Sequence, residues 1–213
     1  MDSLLTVTGP ASNRKLTTAA ALRTELGLSS GSLDDTRAND VIARASKAAE
    51  RYCSRIFAQE TVSEVFRLAA RDRGPEKLIL ARWPIVSITS VTEDGNALTG
   101  SDYEADLATG QVFRLSSDTR TAWCAQKTTV VYVGGYVLPG DGGTRTLPED
   151  VEAAALKLAA GFYFGAARDP LVKGESADGI GSVDYWVGGM PGASGELPPD
   201  VLALLAPYRT LFV

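Results

Sequence analysis

The apolar residues of this chain change their spacing twice, and that change limits the folds open to it. Through residues 34–57, DDTRANDVIARASKAAERYCSRIF, they recur every three or four positions. Ala38, Val41, Ile42, Ala45, Ala49, Tyr52, Cys53 and Ile56 form one broad stripe, the mark of a helix with one buried side. From residue 61 to 133 the period shortens toward that of strands. After Pro148 the helical spacing returns in Val151, Ala154, Ala155, Leu158, Phe162 and Ala166. Each helical stripe needs an apolar partner, and the most direct pairing joins the two stripes across the strand segment. The expected fold class is therefore α+β: a small antiparallel helical bundle with an inserted β-sheet or hairpin domain and an extended C-terminal tail. Residues 1–60 are expected to form the N-terminal part of the helical core and 61–133 the β insertion. Residues 134–170 supply the long helix that completes the core, and 171–213 the tail with a short terminal helix. Val41, Ile42, Ala45, Tyr52, Leu158 and Phe162 are the expected helical core.

Shorter signals fill in this outline. TTAAALRTELGL (17–28) has a threonine cap, helix-forming alanines and a Leu22/Leu26 pair one turn apart, but is short enough to need a neighbour. Asp35 is the expected cap of the next helix. In EKLILARWPIVSITSVTEDG (76–95), Leu78–Leu80 and Ile85, Ile88 and Val91 read as strands around a Trp83-Pro84 break, and Asp94-Gly95 reads as a hairpin turn. YEADLATGQVFRL (103–115) suggests a second hairpin near Gly110, and TTVVYV (128–133) a buried strand. Four to six short strands are expected, with Trp83, Phe113, Trp123 and Tyr132 covering the sheet.

Chemistry is sparse. The chain has no histidine, so Ser-His and Cys-His nucleophiles cannot be assembled from it alone. Cys53 and Cys124 fit neither a disulfide framework nor a zinc site, and each reads as a small buried hydrophobe. Gly142 and Gly143 lack the Lys-Ser/Thr ending of a phosphate loop. Behind them, Pro148, Glu149 and Asp150 suit the first turn of a helix whose positive end would already face two carboxylates. The acidic pairs Asp34/Asp35 and Glu149/Asp150 read as caps, and ESADG (175–179) as a turn. No catalytic, cofactor-binding or metal-binding residue is assigned, although carboxylates distant in sequence leave a metal-dependent enzyme as one alternative. The net charge of −5 disfavours a generic nucleic-acid surface. The opening residues lack the order of a signal peptide, and no apolar run is long enough to cross a bilayer. These features point to a soluble chain of a reducing compartment.

The C-terminal part looks made for another chain. Val183, Tyr185 and Val187 alternate within a glycine-rich segment that cannot build a core alone, and such a segment can add a strand to a partner. Leu202, Leu205, Tyr208, Leu211, Phe212 and Val213 need cover from the core or from a neighbour. An interaction protein therefore ranks above an enzyme.

The order of TTAAALRTELGL, DDTRANDVIARASKAAERYCSRIF, LILARWPIVSITSVTEDG, the Asp102-Tyr103 pair before a Gly110 hairpin, VVYVGGY and LPEDVEAAALKLAAGFYF resembles the head-tail connector (adaptor) family of tailed bacteriophages. The likeness is to the type that carries a β insertion and also occurs in gene transfer agents. It extends over residues 17–166, and more loosely through SADGIGSVDY and LPPDVLALLAPYR. It implies a non-enzymatic virion protein assembled in the host cytoplasm, forming a ring, commonly of twelve copies, beneath the portal. The partners implied are further copies of the chain, the portal protein, and a stopper or tail-completion protein. DNA would pass through the channel without sequence-specific binding, and no membrane is involved. In the family, helices pack the ring and a C-terminal segment reaches the portal. Carried onto this sequence, the portal-contact candidates are Ile180, Val183, Tyr185, Val187, Leu202, Leu205, Tyr208, Leu211, Phe212 and Val213. The run GGMPGASGE (188–196) departs from the family and leaves the path between the two tail segments open. A tail terminator or another virion ring protein is the competing structural reading, and the negative charge suggests a partly acidic lumen along which DNA slides.

Overall fold

The computed structural model describes residues 2–29, 31–69, 74–166, 174–177, 181–184 and 197–210. The chain divides into two compact units, Met1–Arg14 with Arg55–Thr146, and Lys15–Ser54 with Leu147–Val213.

The second unit is helical. Helix α1 (Ala19–Glu25) starts where the Thr18 hydroxyl accepts the Ala21 N–H at 3.2 Å. Helix α2 (Asp35–Cys53) is capped by Asp34, one residue before the expected Asp35. The Asp34 carboxylate accepts the N–H groups of Thr36 at 2.9 Å and Arg37 at 3.2 Å, satisfying two of the donors a helix start leaves open. These bonds, the one from Arg37 foremost, hold the Asp34 carboxyl below its ordinary pKa. The buried side of α2 is Ala38, Val41, Ile42, Ala45, Ser46, Ala49 and Cys53, close to the stripe read from the sequence. It packs against helix α3 (Glu149–Gly165), which buries Val151, Ala154, Ala155, Leu158 and Ala159. The one polar member of the α2 stripe, Ser46, is satisfied because its hydroxyl accepts the Leu16 N–H at 3.0 Å. Helix α4 (Pro199–Leu205) continues as a 3-10 turn, Ala206–Tyr208, and buries Val201 and Leu205 completely or nearly so. The Thr210 N–H donates to the Cys53 carbonyl at 2.9 Å, which fastens the end of the chain to the last turn of α2.

The first unit is built of strands. A five-stranded antiparallel sheet runs in the order β1 (Asp2–Gly9), β2 (Glu60–Arg67), β9 (Lys127–Gly134), β4 (Ile85–Glu93), β5 (Asn96–Ala97). A second sheet joins β3 (Lys77–Ile79), β7 (Gln111–Ser116) and β6 (Tyr103–Asp106), with β8 (Thr119–Thr121) also on β7. Both sheets send side chains into one core of Val62, Phe66, Leu78, Leu80, Ile85, Val91, Val112, Trp123, Val130 and Tyr132. Trp123 and Tyr132 fill its centre as expected, whereas Trp83 and Phe113 are only half-buried. The Asp94-Gly95 hairpin has both residues at positive φ, 48° and 89°, the geometry of a tight two-residue turn. In the Gly134-Gly135 pair, a Cβ on Gly135 would stand 2.3 Å from the Ala58 carbonyl oxygen, and its φ of +108° excludes other residues without strain. The loop with Gly142 ties back on itself: Val137 N–H donates to Thr146 Oγ1 at 2.9 Å and Leu138 N–H to Asp141 at 3.1 Å. It is a joint between strand and helix.

Other sequence expectations also differ from this architecture. Residues 2–9, assigned to the helical part, form the edge strand β1, and the strand unit extends from Arg55 to Thr146 rather than from 61 to 133. The adjacent Leu4 and Leu5 hide the alternation that identifies a strand. Among the described residues, eight strands, not four to six, lie between Glu60 and Gly134, because pieces of two or three residues have no readable period. Cys124 is exposed, while Cys53 is buried, and neither is in a disulfide. Two further strands, β10 (Gly174–Ala177) and β11 (Gly181–Asp184), pair with each other as an antiparallel ribbon.

Candidate interaction surfaces

Of the residues expected to face a portal, Ile180, Tyr185, Val187, Leu211, Phe212 and Val213 lie outside the described residues. The backbone of Val183 pairs with Glu175 in the β10–β11 ribbon. Leu202 and Tyr208 are half-buried. Leu205 is fully buried, so it belongs to the chain's own helical core and is corrected from a contact to a packing residue. Its helix is held by the Lys157–Asp200 ion pair, 2.6 Å and largely exposed. The hydrogen bond from Lys157 keeps the Asp200 carboxyl below its usual pKa. Arg209 lies over the Tyr52 ring at 5.4 Å, and Tyr52 is half-buried rather than central to the core.

Val41, Ile42, Ala45 and Leu158 are buried, and Phe162 is 37% exposed. Three successive aromatics, Phe162, Tyr163 and Phe164, cannot share one helix face, since each step turns about 100°. The structure instead places an aromatic group on the surface at the end of α3. Phe164 is 64% exposed, the Arg44 guanidinium lies 5.8 Å from the Phe162 ring, and that of Arg37 lies 5.4 Å from the Tyr163 ring. Arg44, Lys47 and Arg51 continue this as an exposed basic stripe along α2. The FYF triplet was the signal available in the sequence.

The strand unit buries charge, and pairs it. Glu60 is bound by Arg14 at 2.8 Å and Arg82 at 3.1 Å. Glu64 accepts the Tyr132 hydroxyl at 2.9 Å and the Ala81 N–H at 3.0 Å, while the Tyr132 oxygen accepts the Arg82 N–H at 3.1 Å. Burial, and then the Glu64 charge, push the Tyr132 phenol far above its ordinary pKa, so it stays a donor. These carboxylates are engaged as structural acceptors. Among the described residues, no three His, Cys, Asp or Glu side chains gather as a metal site, and no helix is long and apolar enough to cross a membrane.

The outer side of the five-stranded sheet carries a different surface. Register places Leu4, Val65, Thr129 and Thr92 in one row across it, and Thr6, Ser63, Val131 and Ser90 in the next. Thr61, Val133 and Ser87 form a third row. All are half-buried or exposed, and none is charged.

No protein-family model matches the sequence, and no curated protein matches it. Solved structures do. A chain of the neck of the native gene transfer agent (GTA) particle computed with C12 symmetry superposes with a TM-score of 0.53 at 17% identity, covering 99% of this chain and 97% of that one. The fold is shared with a neck chain of gene transfer agents. The neck of the empty particle computed with C6 symmetry gives a TM-score of 0.55, and the virion of the native particle 0.56, with the same identity and coverage. At this identity the likeness establishes the α+β fold, helical part and β insertion together.

Proposed function

We propose that the chain is a head-tail connector: a structural protein whose copies form a ring between the portal at a capsid vertex and the stopper or tail below, around the DNA channel. The observation that carries this reading is the extent of the likeness. A match over 99% of this chain and 97% of a neck chain takes in the helical unit, the strand unit and the C-terminal part at once, so the whole plan is common to both. The pairing of the buried Glu60 and Glu64 with Arg14, Arg82 and Tyr132 favours a scaffold over acid-base chemistry. On this reading the portal-contact residues are Ile180, Val183, Tyr185 and Val187 in one segment, and Leu202, Tyr208, Leu211, Phe212 and Val213 in the other. The site of action is the head-tail interface of the virion, after assembly in the host cytoplasm.

Deleting the gene from a producing strain tests this. The expected result is DNA-filled heads and separate tails, restored to whole particles by the chain supplied in trans. Complete particles without the chain would show a dispensable protein, and filled heads beside tails of abnormal length would show a tail terminator.

A further inference from the structure

We propose that the uncharged outer face of the five-stranded sheet, together with the open backbone edge of β1, is a docking surface for a second copy of this chain. The inference rests on the ring reading above and adds to it a contact made by strands.

Each copy carries −5, so identical copies repel unless they meet where opposite charges pair or where charge is lacking. The three rows from Leu4 to Ser87 supply eleven positions of Leu, Val, Ser and Thr without a charge. The charged side chains Arg67 and Lys127 follow only in the next row, at the end of the sheet. Like-charged neighbours can meet here at the least electrostatic cost.

The edge beside this face is also open. Among the described residues, β1 pairs with β2 alone and closes one end of the sheet. Exposed edges are ordinarily blunted by lysine, proline, a bulge or shortness. From Ser3 to Gly9 the strand has no Lys, Arg or Pro, and its register with β2 is regular from Asp2 to Val7. Leu4 is 66% exposed and Val7 38%. Beyond Val7 the β1 register shifts once, before Gly9, whereas the far end of the sheet has two such irregularities in β4 and is partly covered by β5. A ring of identical copies needs two unlike surfaces on each copy, and the two ends of this sheet are unlike. Free N–H and C=O groups along β1 and the apolar rim of Leu4 would be satisfied together by one neighbour.

The test uses the full chain and reads self-assembly by sedimentation velocity across a concentration series, with thermal unfolding as the check on folding. Thr6→Lys and Ser63→Lys each put a cation on the face, and Thr119→Lys puts the same change on the exposed strand β8 of the other sheet. Wild type and Thr119→Lys are expected to assemble alike. Thr6→Lys and Ser63→Lys are expected to melt like wild type but to assemble only at about tenfold or higher concentration. Hydrogen exchange of wild type supplies a second reading: the β1 amides that point away from β2 slow on assembly. Assembly unchanged in both face variants, β1 amides equally fast in assembled and dilute protein, or a wild type that stays monomeric throughout would each overturn the proposal. Failure here is separable from failure of the connector reading. Rings that form normally in Thr6→Lys while the gene deletion still parts heads from tails refute the docking face alone, whereas self-assembly through this face by a chain dispensable for particles refutes the connector role alone.

Discussion

The Arg55 guanidinium stacks 3.5 Å from the Trp83 ring centroid and donates to the Trp83 carbonyl. Arg55 is also within 5.0 Å of the Phe57 ring centroid and 5.6 Å of that of Tyr136, so one buried cation is enclosed by three aromatic faces. Arg55 lies two residues beyond α2 and outside the apolar stripe read over 34–57. The helix ends earlier, with Ser54 in the left-handed conformation at φ 52°, and that reversal sends Arg55 into the strand unit.

Replacing Arg55 by Ala is expected to destabilise the protein by on the order of 2 kcal/mol or more, through lost cation-π contact and lost packing. Arg55→Lys recovers less than half of this, because an ammonium lacks the planar face that stacks. Urea unfolding measures both. Equal stability of Lys and Arg at this position would show that charge alone matters there.

Tyr132 and Glu64 give a prediction with a pH signature. Tyr132→Phe leaves a buried carboxylate oxygen short of one donor and is expected to cost ~1–3 kcal/mol at neutral pH. In the wild type the folded-state phenol is raised above its ordinary value of 10.0. Its contribution is therefore fully present below that value and is lost as pH rises beyond it, where the unfolded tyrosine ionises and the folded one does not. Stability followed from pH 8 to 11 should fall more steeply in wild type than in Tyr132→Phe. Parallel curves would contradict the assignment.

Gly135→Ala should be among the most damaging single-methyl additions in the chain. The Ala58 carbonyl occupies the space a Cβ requires, and the positive φ adds strain, together at least ~1–3 kcal/mol. Gly142 is also at positive φ, +76°, but a Cβ there meets no atom within 4 Å, so Gly142→Ala carries the φ penalty alone. A clearly larger drop in melting temperature for Gly135→Ala than for Gly142→Ala isolates the clash, and equal drops would deny it.

The C-terminal part divides into a packing element and a contact element. Leu205→Ala is expected to cost ~2–5 kcal/mol, as for any fully enclosed leucine. Cutting the chain before Gly174 removes Val201 and Leu205 together and should weaken the helical unit. Deleting residues 174–196 while keeping α4 should instead leave thermal stability near wild type and sharply weaken binding to portal-bearing capsids. Unchanged capsid binding by that deletion would remove the tail from the portal contact.

The helical pairing was legible because α2 and α3 repeat an apolar residue every turn for four turns or more. The signal failed at its ends: Phe162 continues the spacing on paper, yet it sits where α3 runs out of partner. Strand β1 escaped because Leu4 and Leu5 are adjacent and face opposite sides of the sheet, Leu5 toward the core and Leu4 toward solvent. The uncharged sheet face could not be read from sequence at all. Its rows join β1, β2, β9 and β4, whose members lie up to 125 positions apart within one row, as between Leu4 and Thr129, and only register brings them together. The same holds for Glu60 and Glu64, whose partners Arg82 and Tyr132 come from the bend before β4 and from β9.

A reconstruction of the intact portal vertex from particles carrying this chain shows where its copies sit. The account predicts a ring of copies between portal and tail, encircling the DNA channel, with the segment after residue 173 in density against the portal. Absence of the chain from the vertex, or its density below the tail tube, would contradict it.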